Sequence, residues 1–309
     1  MMTIIGARKI SYWVSGALVM ASFLALALWG LRLGIDFTGG SLLEVEYAPS
    51  AGGERPSSDA IAKTLASIGL PDAVVQPVGE RGAILRLPSI DEARHQALLG
   101  ELSKFGKLEE KQFTSIGPTI GAELKRNSIY AIGLVMVMIV FYIAFAFRQV
   151  SKPVQSWKYG AAALVALIHD VSIPAGVFAA LGHFYGVTVD TLFVTALLTI
   201  LGFSVHDTIV VFDRIRENNK KFSAKGAGSS QALGWENVVE TSLRQTIGRS
   251  INTSLTVMLV MLALYFFGGA STKLFALAIL IGVFFGTYSS IFIASALLVS
   301  WNKWSLRRT

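Results

Sequence analysis

Apolar residues run along this chain in six long blocks set apart by polar stretches. A helix needs about 20 predominantly apolar residues to cross the hydrocarbon core of a bilayer. The blocks at Ile10–Leu31, Ile129–Phe147, Tyr159–Leu181, Val189–Phe212, Ile251–Phe267 and Leu274–Trp301 reach or approach that length, so the pattern predicts six transmembrane helices. Residues 32–126 are patterned differently. Ser41–Tyr47 alternates apolar and charged positions, as a half-buried strand does. Ser57–Ile68 carries a Ser/Asp start signal and helical spacing, and Gly69-Leu70-Pro71 ends it. Ala73–Val78 and Ala83–Leu87 read as strands around a turn at Gly79–Gly82, Ser89–Lys104 as a helix opened by Ser89, and Lys107–Ser115 as a last strand. The order β-α-β-β-α-β is that of a ferredoxin-like domain, with a generic α+β domain as the alternative. The fold class expected is a polytopic α-helical membrane protein with one extracytoplasmic α+β, ferredoxin-like domain between helices 1 and 2. The divisions expected are 1–31, 32–126 and 127–309, with a basic cytoplasmic loop at about 213–250. Within that loop Lys220–Ser230 reads as flexible, and Trp235–Arg244 as an amphipathic helix along the membrane surface.

Composition agrees with this picture. Of 309 residues 53% are hydrophobic and 15% charged, against about 25% charged in a soluble domain, and the mean hydropathy is +0.57. The net charge of +7 would suit nucleic acid, but its placement suits a membrane surface. Arg8, Lys9, Arg148, Lys152, Lys158, Arg214, Arg216, Lys220, Lys221, Lys225, Arg244, Lys303, Arg307 and Arg308 fall on one side of the spans, and the short loops of the other side hold Lys273. By the positive-inside rule both termini are cytoplasmic and residues 32–126 lie outside, although Arg32, Lys125 and Arg126 run against the rule. Ile10–Leu31 is longer than the 7–15 apolar residues of a signal-peptide core and reads as an uncleaved anchor. The absence of cysteine excludes disulfides and thiolate metal sites. Gly39-Gly40 lacks the Lys-Ser/Thr of a phosphate loop, and no nucleophile–base pattern stands out, so neither catalysis nor a metal is expected.

The candidate chemistry lies inside the spans. Asp170 and Asp207 sit in apolar blocks, where a charge costs about 2.5–3.5 kcal/mol on insertion scales and must face another helix, a partner or water. Such groups form proton relays in transporters, but a packing hydrogen bond is the competing reading for each. Arg249, at the entry to the fifth span, is an available ion-pair partner for Asp207, with Asn252 and Thr253 on its helical face. Ser204, one turn before Asp207, can hydrogen-bond it, Thr199 and Phe203 lie on or near the same face, and His206 is adjacent. His169 can neutralise Asp170, and Pro174 loosens the same helix one turn later. Gly34-Ile35-Asp36-Phe37-Thr38-Gly39-Gly40 reads as a turn, an elbow between membrane and domain. Gly282-x-x-x-Gly286 is a close-packing motif on the sixth span. Asp213, Arg214, Arg216 and Glu217 read as a solvated helix end, His95 as part of a solvated helix face and His183 as a loop residue.

GIDFTGG (Gly34–Gly40), HD (His169–Asp170), LLTILGFSVHDTIVVFDRIREN (Leu197–Asn218), TSLRQTIGRSINTSLT (Thr241–Thr256) and GG (Gly268-Gly269) occur in order on six predicted spans with one large first loop. Together they resemble the SecF family of protein-export accessory subunits, within the resistance–nodulation–division superfamily, over nearly the whole chain. His206 departs from the pattern, where Asn is common in relatives. The resemblance implies pairing with a SecD-like subunit, association with the SecYEG channel, an unfolded preprotein as substrate, the bacterial inner membrane as location, and a proton gradient in place of any cofactor. It implies proton-path roles for Asp207 and Arg249, with Asp170, His206 and Ser204 around them. A proton-driven exporter of lipids or small molecules and an uncoupled scaffold of the channel are the other classes the sequence leaves open.

Overall fold

A computed structural model of the chain describes residues 3–48, 56–148, 154–224 and 231–307. Its elements are α1 (Arg8–Trp29), α2 (Ile35–Thr38), β1 (Gly40–Tyr47), α3 (Ser58–Ser67), β2 (Val74–Val78), β3 (Gly82–Leu87), α4 (Glu92–Ser103), β4 (Leu108–Ile116), α5 (Pro118–Ala146), α6 (Ser156–Tyr185), α7 (Thr191–Ala224), α8 (Gln231–Phe267), α9 (Ala270–Ser289), a π-helical turn (Ser290–Ala294) and α10 (Ser295–Leu306). They fall into two compact units. One holds Arg32–Ile129 with Phe184–Thr191, and the other holds Met1–Leu31, Tyr130–His183 and Leu192–Thr309.

The first unit is built on a four-stranded antiparallel sheet of order β2-β3-β1-β4, and the strand–helix order of its α+β part is that of a ferredoxin-like domain. Alternation along β1 and β3 turns Leu43, Val45, Tyr47, Ala83, Leu85 and Leu87 to a core shared with Ile61 and Leu65 of α3 and Leu98 and Leu102 of α4. Ser57 caps α3, its hydroxyl accepting from the Ala60 N–H at 3.2 Å. Asp91, rather than Ser89, opens α4, accepting from the Arg94 N–H at 2.9 Å. Ile90 is held out of that helix because its N–H donates to the buried Ser41 hydroxyl at 3.0 Å. His95 is not on a solvated face. It is buried, stacked on Phe113 with ring centroids 3.7 Å apart, with Nδ1 3.2 Å from Glu92 and Nε2 3.4 Å from Glu110. Sequence spacing put it on α4, and strand β4 closing over that helix buried it.

Among the described residues six helices are long and apolar enough to cross a membrane: Arg8–Trp29, Pro118–Ala146, Ser156–Tyr185, Thr191–Phe222, Gly234–Phe267 and Thr272–Leu306. The parts of α6, α7 and α9 with α10 in these spans are 61%, 50% and 61% buried within the protein, against 17%, 6% and 11% for α1, α5 and α8, so the former make the centre and the latter the periphery. Glycines allow close crossings here. A Cβ on Gly176 of α6 would stand 2.5 Å from Ser22 of α1, and one on Gly282 of α9 would collide with Ile200 of α7. Pro174 is accommodated inside α6, which runs on to Tyr185.

Three expectations change. The span around Asp207 is longer than its apolar block, since α7 continues to Ala224 and α8 starts at Gln231. Lys220–Ala224 is therefore helical rather than loop, and residues 225–230 lie outside the described residues. Trp235–Arg244 is not a separate surface helix. It is the start of α8, and Trp235, Val238, Val239 and Leu243 are buried in one core with Ile5, Val211, Phe212 and Ile215. A 3.6-residue apolar stripe serves a lipid surface and a protein neighbour equally well, and here the neighbour is α7. His183 is not in a loop but in the last turn of α6, stacked on Trp29 at 5.0 Å.

Candidate functional site

Asp170 and Asp207 are both buried, with 0% and 4% of their surface exposed. Buried carboxylates need hydrogen-bond donors, and the two are supplied very differently.

Asp170, on α6, is closed on every side. His169 Nδ1 lies 2.8 Å from Oδ1, the Ser204 hydroxyl of α7 donates to Oδ2 at 2.5 Å, and the Ser289 hydroxyl of α9 donates to the same oxygen at 2.7 Å. Gly286 makes room for this cluster, because a Cβ there would stand 3.2 Å from Ser204 Cβ and 3.7 Å from Asp170 Oδ2. His169 is itself buried, packed on Phe285 and Tyr288 with centroids 6.0 Å away, and its Nε2 has no hydrogen-bond partner among the described residues.

Asp207, on α7, has one donor among the described residues, the Ser250 hydroxyl of α8 at 2.8 Å from Oδ1. Its Oδ2 has no hydrogen-bond partner among the described residues. Ser250 belongs to a run of hydroxyls in which Ser254 donates to the Ser250 carbonyl at 2.8 Å and meets Thr287 of α9 through its own hydroxyl. A second run joins Thr208 of α7 to Ser290 at 2.8 Å. The π-helical turn begins at Ser290, directly after Ser289. Such bulges insert a residue into a helix and recur at functional sites. Here α9 and the turn together present Ser289 to Asp170 and Ser290 to Thr208.

Two expected partnerships are thereby corrected. Ser204 bonds Asp170, not Asp207. Arg249 forms no ion pair with Asp207, and the side chains of Arg249 and His206 are both exposed. Successive residues of a helix point about 100° apart, so when Ser250 faces Asp207, Arg249 faces away. Asn252 is exposed on the same side of α8. Asp213–Arg216 and Arg214–Glu217 are i,i+3 pairs at 3.9 and 2.7 Å, as a solvated helix end provides. Ser250, Ser254, Thr287, Ser289 and Ser290 did not stand out in the sequence. Their one signal was hydroxyls at helical spacing within apolar blocks. Among the described residues no group of three His, Asp or Glu side chains is placed to hold a metal ion.

The Gly34–Gly40 segment belongs to the first unit. Instead of a plain turn it is one helical turn, α2, followed by Gly39 at φ 75° and Gly40 at φ 131°, a region that favours glycine. Gly39 also meets the start of α5, where an added Cβ would stand 2.7 Å from Pro118 Cα.

Residues 97–304 match the family described as protein export membrane protein SecD/SecF, C-terminal, and residues 30–51 match the SecD/SecF GG motif. The chain is 47% identical to the protein translocase subunit SecF of Thermobaculum terrenum, over 99% of this chain and 96% of that one. The chain belongs to the SecF family. A SecF of Synechocystis is 36% identical over 96% of the chain. The crystal structure of SecDF from Thermus thermophilus, described as a translocon-associated membrane protein, superposes with a TM-score of 0.82 at 33% identity, over 97% of this chain. This chain spans 38% of the length of that SecDF. SecDF in a super-membrane-facing form gives a TM-score of 0.68 at 32% identity. The GG-motif match includes Gly34–Gly40, and the larger match includes both intramembrane carboxylates.

Proposed function

We propose that this chain is the SecF-type subunit of a complex that uses the proton motive force to assist late-stage translocation of preproteins through the SecYEG channel. SecF relatives are named protein translocase subunits, which supports a role in protein translocation and names no catalytic activity. A SecD-like subunit is the partner, as in the fused SecDF relatives, where a chain of this length makes up 38% of the whole. The Lys/Arg distribution supports both termini in the cytoplasm and the α+β domain outside, where it meets the emerging chain or its sister domain.

The observation that carries the proton-coupled reading is the contrast between the two carboxylates. Asp170 has a donor on each oxygen and acts as a fixed pivot among α6, α7 and α9. Asp207 has one oxygen held by Ser250 and the other open, which leaves it a place for a proton. His206, next in sequence to Asp207, and Arg249, next to Ser250, are exposed, so a partner subunit or a water path can complete the site. Protonation removes the charge on Asp207. Each proton that crosses 100 mV contributes about 2.3 kcal/mol.

The test is completion of preprotein translocation in inverted membrane vesicles with and without a proton gradient, comparing wild type with Asp207→Asn co-assembled with the SecD-like subunit. Loss of the gradient-dependent part, with assembly intact, is expected. Full activity in the variant would refute proton coupling at Asp207 and favour an uncoupled scaffold.

A further inference from the structure

Arg32 runs against the charge pattern that orients the spans, and the fold sets a second arginine beside it. The Arg32 carbonyl accepts from the Val189 N–H at 2.8 Å, and the Gly34 N–H donates to the Val189 carbonyl at 2.8 Å. The Arg32 side chain is exposed, and its Nη1 lies 3.5 Å from where a Cβ on Gly186 would stand. Among the described residues its guanidinium has no hydrogen bond and no ion pair. Arg86 is on β3 between the core residues Leu85 and Leu87, so it lies on the other face of the sheet, across from Leu42 of β1 and Val74 of β2. It is half-buried. Its Nη1 donates to Gln76 Oε1 at 2.9 Å, its Nε is buried without a partner, and no carboxylate pairs with it among the described residues. The carbonyl of the next residue, Leu87, is 2.7 Å from where a Cβ on Gly40 would stand, and Ile35 Cγ2 is 3.2 Å from the same point. The segment that starts just after Arg32 therefore lies over the end of β3 that carries Arg86. Burial first, and then the charge of Arg32, hold the Arg86 pKa below the ordinary guanidinium range. All of these residues belong to one compact unit.

Two guanidiniums within electrostatic reach repel each other, and an anion held between them offsets the repulsion. Arginine keeps its charge at neutral pH, and its planar fork matches two phosphate oxygens at once. A phosphodiester offers two such oxygens and one negative charge. Position along the chain says where the phosphate comes from. Arg32 is three residues past Trp29, the end of α1, and Gly186 is one past Tyr185, the end of α6. Three residues span at most about 11 Å, and the headgroup layer beyond the hydrocarbon core is about 5–8 Å deep. An arginine side chain, with a long apolar stem and a charged head, covers the difference. We propose that Arg32 and Arg86 form a binding site for the phosphate of a phospholipid headgroup, where the chain passes from α1 into the α+β domain. The bound phosphate neutralises the pair and ties the GG segment to the headgroup layer. The site is independent of proton coupling at Asp207.

The experiment uses the full chain co-assembled with its SecD-like partner, purified in a neutral detergent and stripped of lipid. The probe is phosphatidylglycerol with a photoreactive headgroup, and labelled sites are mapped by peptide mass. Wild type is compared with Arg32→Gln, Arg86→Gln, Arg32→Lys and a double variant, Lys125→Gln with Arg126→Gln. The double variant removes two exposed cations of α5 that also run against the charge rule. Label is expected on the peptides that hold Arg32 and Arg86. Arg32→Gln and Arg86→Gln should each raise the lipid concentration for half-labelling about tenfold, the scale of one lost bond to a charged group. Arg32→Lys, which keeps the charge and loses the fork, should fall between, and the α5 variant should match wild type. Arg32→Gln decides the matter if Arg86→Gln does not accumulate, because the Arg32 guanidinium makes no hydrogen bond among the described residues. Unlabelled phosphatidylglycerol should displace the probe, and a glucosyl diacylglycerol, which has no phosphate, should not. Inorganic phosphate that displaces the probe as readily as phosphatidylglycerol does would overturn the lipid headgroup as ligand, as would displacement by the glucosyl lipid. Equal labelling in wild type and Arg32→Gln, an equal loss in the α5 variant, or no label on these peptides in wild type overturns the site.

Discussion

Replacing Asp170 tests whether its cluster is the structural pivot described above. Asp170→Ala deletes the acceptor of three donors: His169 Nδ1 at 2.8 Å, Ser204 Oγ at 2.5 Å and Ser289 Oγ at 2.7 Å. Ser289 has a fallback, the Gly286 carbonyl at 3.1 Å. Ser204 and the His169 ring lose their hydrogen-bonded carboxylate inside the bundle. Side-chain hydrogen bonds between membrane helices average about 0.6 kcal/mol, so the two from Ser204 and Ser289 give about 1 kcal/mol. Each donor left unpaired adds about 1–3 kcal/mol. Asp170→Ala should therefore destabilise the helical unit by at least about 2 kcal/mol, lowering the thermal midpoint in detergent by about 5 °C or more. Asp170→Asn has nearly the same shape. Its carbonyl can accept from both serines while its amide donates to His169 in the other tautomer, so its midpoint should fall within about 2 °C of wild type. The assay is thermal unfolding of the purified protein followed by intrinsic fluorescence and by loss of monodispersity. An Asp170→Ala protein as stable as Asp170→Asn would refute the pivot, since the donors would then be satisfied without the carboxylate.

Two further expectations follow from single contacts. Gly282 faces Ile200 where no side chain fits, so Gly282→Val should overpack the α7–α9 contact at about 1–3 kcal/mol. Adding Ile200→Ala should restore part of that loss in the same unfolding assay, whereas additive losses would place the strain elsewhere. The buried Tyr47 phenol has no hydrogen-bond partner among the described residues, and burial pushes its pKa up to about 12 from the ordinary 10. A neutral phenol favoured by the fold contributes stability that is complete below pH 10 and is lost as pH rises through about 12. Tyr47→Phe should therefore be neutral or slightly stabilising at pH 7 and should remove a late-ionising tyrosine from an ultraviolet difference titration. A normal titration of that tyrosine would show that water reaches it.

The spans, their number and the strand–helix order of the α+β domain were legible in the sequence because each depends on short-range patterning. An apolar block long enough to cross a bilayer has few other soluble or interfacial options, and period-two alternation marks a strand wherever it is placed. The intramembrane carboxylates were legible as well, since a charge in such a block stands out against its neighbours. Their partners were not. Ser204 precedes Asp207 by one turn and bonds Asp170 instead; Arg249 precedes Ser250 by one residue and is exposed where Ser250 is buried. A helix turns about 100° per residue, so a small rotation exchanges one partner for another. That rotation is set by long-range contacts, such as Gly286 admitting Ser204 to Asp170 and Ile200 filling the space over Gly282. The same holds for His95, covered by Phe113 across the fold, and for the Trp235 stripe, which met α7 rather than lipid. Sequence alone placed the chemistry at its depth along each helix. The tertiary structure decided which way each group faces, because facing depends on how neighbouring helices pack, and no single segment carries that information.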